Sequence, residues 1–182
     1  MHAHGGEVPQ GTLSVGGEIF DDVALEVSLR RPPNAKAFAF HTALLTHEYP
    51  EGVCSFFRDQ FLALLTPTPA AWSNANMVFD QQGIPLSAEF QPLSHCDPAT
   101  LSYWAYTCEN LATTGCPEAP DPWSASTGWL QTKVPLDGHE PFEIRFLIFD
   151  IEDSSHDSTV LIDGFTWLGE PGIGETPVTF TR

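Results

Sequence analysis

The sequence predicts an all-β fold, a jelly-roll-like β-sandwich with a long disulfide-stapled loop. Apolar and polar residues alternate with period two in many segments, whereas helical periodicity hardly occurs. Sixteen prolines and fourteen glycines punctuate the 182 residues, and such residues interrupt strands and set turns. About nine or ten short strands separated by turn signals then suggest a sandwich rather than an open sheet.

The elements follow in order. Leu13–Phe20 is a first short candidate strand. In Ala24–Arg30, Leu25, Val27 and Leu29 point one way and Glu26, Ser28 and Arg30 the other. Ala37–Leu44 sets Phe38 and Phe40 on one face, with only small or polar groups opposite. Cys54–Leu65 is the one helix-compatible stretch, yet its apolar spacing is mixed and its second half, Phe61–Leu65, reads as strand. Met77–Phe79, Ser102–Tyr106 and Trp129–Val134 are further short candidates. Phe142, Ile144, Phe146 and Ile148 alternate with Glu143, Arg145, Leu147 and Phe149, which predicts a long strand covered on both faces near its end. Val160, Ile162 and Phe165 define another strand with a bend at Gly164, and Val178–Thr181 a last one. Residues 1–12 form a flexible N-terminal segment, 13–168 the β-sandwich domain, and 169–182 a C-terminal edge strand or linker.

Composition narrows the functional classes. The chain carries 24 acidic residues against 7 Lys plus Arg, a formal net charge of −17. Seven scattered cations cannot neutralise a phosphate track, so nucleic acid is excluded as a partner of basic patches. Apolar residues at 42% and aromatics at 12% fill one core, which separates the chain from disordered acidic sequences. No apolar run reaches the ~20 residues of a membrane span. The opening MHAHGGEVPQG lacks the basic and apolar regions of a signal peptide. Cys54 lies in a loop, and Cys96, Cys108 and Cys116 lie in the polar segment from about Pro92 to Thr127. No pair has C-x-x-C spacing, so four cysteines in irregular segments read as two structural disulfides of an oxidising compartment. Three connectivities are open. The expected location is therefore extracellular, cell-surface or periplasmic.

Several constellations could carry chemistry. Glu48, Glu51 and Asp59 cluster in one region, and Asp150, Asp153, Asp157 and Asp163 in another. Calcium takes six to eight oxygens, mostly from carboxylates, carbonyls and water, so Glu48, Asp59, Asp153 and Asp157 are its expected ligands. Asp21, Asp22 and Asp163 form a second acidic group. The alternative is a histidine set: His47, His95 and His156 would suit zinc, copper or iron and make a metalloenzyme, since three protein ligands with an open position is the catalytic pattern. Exposed loop acids and histidines are, however, most often plain solvated surface. Trp72, Tyr103, Trp104, Tyr106, Trp123 and Trp129 fall mainly in loops. Trp104 and Trp123 are the expected ligand-binding pair, because aromatic faces stack on sugar rings; the bland reading is that such rings cover the core. No nucleophile elbow or phosphate loop is present.

Three stretches taken together resemble the choice-of-anchor L domain in its myxobacterial-type versions. They are Asn34–Phe40 with Glu48–Cys54 and Asp59–Phe61, then Phe79–Ser87, then Thr127–Leu130 with Ile148–Phe165. The likeness covers roughly residues 20–168. It implies an exported or surface module and supports pairing Cys54 with Cys96. Taken with the loop aromatics, the expected function is adhesion or ligand binding, with a glycan or another surface protein as partner. The chain departs from the pattern at Arg58, where the family has Asn, and at His41, His47, His95 and His156.

Overall fold

A computed structural model describes residues 18–49, 58–80, 83–88, 94–95, 125–136, 138, 141–152, 155–156, 158–170 and 178–181. Among these residues there is no helix, and hence none long and apolar enough to cross a membrane. The strands are β1 (Ile19–Leu29), β2 (Ala37–Thr46), β3 (Arg58–Thr66), β4 (Leu86–Ser87), β5 (Ser94–His95), β6 (Ala125–Ser126), β7 (Leu130–Pro135), β8 (Phe142–Ile151), β9 (Ser158–Leu168) and β10 (Val178–Thr181). They form two antiparallel sheets. One has the order β1-β8-β3-β4, and the other runs β10-β7-β2-β6-β5 with β9 paired to β2.

The two sheets pack on each other through alternate residues, as period two requires. Phe38 and Phe40 of β2 meet Phe142 and Phe146 of β8 at ring-centroid distances of 5.5 and 5.4 Å. Leu44, Phe61, Leu65, Leu130, Val134 and Ile144 complete this core. Residues directly opposite in a ladder share a face, so the registers Phe61↔Ile148, Leu25↔Phe146 and Ile162↔Thr42 place all of these on the inner faces.

The other face of β8 is buried as well. Leu147, Phe149 and Ile151 cluster there with Ile19 and Leu62, the double coverage that the unbroken apolar end of β8 predicts. Gly164 takes a φ of +64°, and the β2–β9 register shifts beside it, between Ala39 and His41. The bend expected at this glycine is thus a bulge.

Met77–Phe79 departs from expectation: it makes only isolated bridges, Leu64↔Asn76 and Phe79↔Pro85. The reason is Asn76, whose buried side chain accepts the Ala63 and Val78 N–H groups at 3.0 and 3.2 Å and donates to the Val78 carbonyl at 2.8 Å. A side-chain amide has taken over from a regular ladder there. The expected strand Leu13–Phe20 is present only at its end, where β1 begins at Ile19; residues 13–17 lie outside the described residues, as does Ser102–Tyr106.

Candidate functional site

β3 and β8 bring two aspartates face to face. Asp59 is one residue inside the start of β3 and Asp150 one residue before the end of β8, and the register pairs them directly. Parity fixes their direction: Phe61 and Ile148, two residues on, are also paired and point into the core. Two carboxylates thus occupy inner-face positions at one end of the sandwich. Like charges directly opposed across a ladder are destabilising.

The surroundings deepen the anomaly. Asp59 is only 1% exposed, and neither of its carboxylate oxygens makes a well-directed hydrogen bond. Its backbone N–H donates to Glu48 Oε2. Glu48, in the loop after β2, is buried too and donates its own N–H to Thr46 Oγ1 at 3.1 Å. Ser158, which opens β9 opposite Thr46, lies close enough to bias Asp59. Burial pushes the Asp59 carboxyl up from 3.8 to about 9, helped by the Asp150 carboxyl and the Glu48 charge and opposed by the Ser158 hydroxyl. Removing charge from water is the dominant cost. In the absence of a cation, Asp59 therefore carries a proton at neutral pH.

Several expected site residues can be located. Glu48 and Asp59 come together. Asp153 and Asp157 fall in the connection between β8 and β9 but lie outside the described residues. Asp163 is elsewhere, opposite His41, with its side chain accepting the Gly164 N–H at 2.7 Å. Asp21 and Asp22 are exposed on β1, where the ladder to β8 shifts register. His47 is half-buried after β2, His156 is exposed with a φ of +68°, and His95 lies on β5. Trp104, Trp123, Cys54, Cys96, Cys108 and Cys116 lie outside the described residues. Trp72 packs against the core, as its bland reading holds.

Among the described residues, no group of three or more His, Cys, Asp or Glu side chains is arranged to hold a metal ion by itself. Asp150 and Ser158 stand beside Asp59 and were not among the expected calcium ligands. Their signal was parity: Phe146-x-Ile148-x-Asp150 and Asp59-x-Phe61 continue the core-facing series into an acid. At the opposite end of β8, a cleft lined by Arg31, Leu65, Pro135, Leu136 and Phe142 offers about 50 Å³, well below the ~300–1,000 Å³ of a small-molecule site. Compared with known proteins, the chain matches no family model, no curated protein and no solved structure.

Proposed function

We propose that the chain is an exported surface module of adhesion or ligand-binding type, on a jelly-roll sandwich held by two disulfides and stabilised by calcium at its carboxylate end. The observation that carries the calcium reading is Asp59: a buried carboxyl with no well-directed hydrogen bond, opposed by Asp150 and bonded through its backbone to Glu48. A divalent cation is the simplest compensation for such a group, since a buried charge otherwise neutralises. The described carboxylates would supply part of a coordination shell, and Asp153 and Asp157, between β8 and β9, the rest. The resemblance to choice-of-anchor L domains supports the surface assignment, and Trp104 and Trp123 are the proposed contacts for a glycan.

Thermal unfolding of chelator-treated protein, with and without calcium, tests this. Calcium should raise the melting temperature, by the equivalent of about 2.7 kcal/mol at a hundredfold excess over Kd. The gain should disappear in Asp59→Ala and Asp153→Ala but persist in His47→Ala. Near-stoichiometric zinc, copper or iron in the purified protein, lost on substituting His47, His95 or His156, would instead establish the metalloenzyme alternative. No calcium response in the wild type would remove the ion from the reading. Glycan binding is tested separately, by its loss in Trp104→Ala or Trp123→Ala.

A further inference from the structure

Among the described residues, one flank of the sandwich is open. Thr179 of β10 donates through Oγ1 to the Met77 carbonyl at 3.4 Å, and Met77 in turn donates its N–H to Ala63 of β3. These contacts tie β10 and β7 to the β3 side, which leaves β1 and β9 together on the opposite flank. Each of the two is paired on one side only among the described residues, β1 with β8 and β9 with β2.

The side chains there contradict their positions. Val23 and Leu25 share a face with Ile148 and Phe146, and Ile162 with Thr42, so all three point inward. Phe165 stacks on Phe38 at 5.3 Å. Yet Val23 is 66% exposed, Leu25 54%, Phe165 40% and Ile162 38%. Further along the same two strands Val27, Leu29, Val160 and Trp167 do pack against the core. The flank is thus an apolar strip between two sheet edges, each with backbone groups able to take another strand. Its charge is one-sided: Asp21, Asp22, Glu26 and Asp163 lie on β1 and β9, and neither strand contains a Lys or Arg. Glu26 pairs with Arg145 of β8 at 3.5 Å, leaving the other acids to set the sign.

We infer that this flank takes an extended segment of another protein, with alternating apolar and basic residues, which adds as a strand to the free edge of β1. Backbone bonds would supply affinity, apolar side chains would cover Val23, Leu25, Ile162 and Phe165, and the basic ones would meet Asp21 and Asp22. Self-pairing of two copies is disfavoured by the same acids and by a net charge of −17. The inference rests on the binding-module reading and names its surface.

A labelled synthetic peptide alternating valine and lysine is the probe, with a proline-interrupted peptide of identical composition and charge as control. Fluorescence anisotropy with the full chain should show the alternating peptide binding at least about tenfold tighter than the control. That preference should be lost in Val23→Ser/Leu25→Ser, and affinity should fall about tenfold in Asp21→Asn/Asp22→Asn. Circular dichroism checks that the variants fold. Equal binding of both peptides, or a preference unchanged in Val23→Ser/Leu25→Ser, would overturn the inference. So would a concentration-dependent dimer abolished by those substitutions, or peptide binding that arises only after residues 1–17 are deleted, since the occupant would then be a second copy or this chain's own N-terminus. A negative peptide result leaves the calcium-dependent melting shift untouched, so the two failures are distinguishable.

Discussion

The inner faces of the two sheets break the apolar rule in two places, and in opposite senses. At the carboxylate end, Asp59 and Asp150 are acids where the pattern calls for core residues, and they are buried. On the β1–β9 flank, Val23, Leu25, Ile162 and Phe165 are apolar as the pattern requires, and they are exposed. The first is a site where carboxyls are gathered out of water, the second a surface that, among the described residues, is left in it. A buried charge can be compensated by an ion or a proton, whereas exposed apolar area is relieved only by something large enough to exclude water.

The largest expected effect comes from the filled part of the same faces. Phe40→Ala, at a fully buried position against Phe146, should cost about 3–5 kcal/mol in denaturant unfolding. Leu25→Ala, on the same inner layer but half-exposed, should cost less than about 1 kcal/mol. A similar loss at both positions would mean that the flank is already covered.

The carboxylate end should give an effect of intermediate size. Asp59→Asn removes the cost of holding a buried carboxyl protonated well above its ordinary pKa and should stabilise the calcium-free protein by about 1–3 kcal/mol near neutral pH. The pH dependence has a fixed sign. Because the folded-state value of Asp59, about 9, lies above its ordinary 3.8, the folded protein binds the extra proton, and stability decreases as pH rises from about 4 towards 9. Denaturant midpoints across that window should show the decline in wild type and a flatter profile in Asp59→Asn. Calcium binding would displace the proton, so its affinity should rise by up to about tenfold per pH unit below 9, as calorimetry can measure.

The β9 bulge should yield a smaller loss. At Gly164, φ is positive and an added Cβ would collide with the His41 ring, which Gln131 Nε2 holds at 2.8 Å. Gly164→Ala should therefore destabilise by about 1–2 kcal/mol, read as a fall in melting temperature.

Most strand positions were legible because alternation needs only the sequence: β2, β7, β8, β9 and β10 lie close to where their periodicity puts them. The bend at Gly164 and the double coverage of β8 were legible for the same reason. Asn76 was not, because a side chain that replaces a ladder bond leaves no periodic trace. The candidate site was half legible. Glu48 and Asp59 stood out as acids, but the pairing of Asp59 with Asp150 depends on a register between residues more than ninety positions apart in the chain. The exposure of Val23 and Leu25 was invisible, since alternation gives the face a residue occupies and says nothing about whether the opposite sheet extends over it.

The β1–β8 ladder also dictates an order of events. β1 is the first described strand of the chain, and its ladder partner lies more than a hundred residues downstream. During synthesis, Val23, Leu25, Val27 and Leu29 therefore emerge well before β8 can meet them. Pairing so distant in sequence also makes for slow folding. Asp21, Asp22 and Glu26, interspersed in the same strand, act in that interval as gatekeepers, charges that discourage one nascent chain from zipping onto another. The acids that give the mature flank its negative sign thus have an earlier duty, keeping an unpartnered strand soluble until the rest of its sheet arrives.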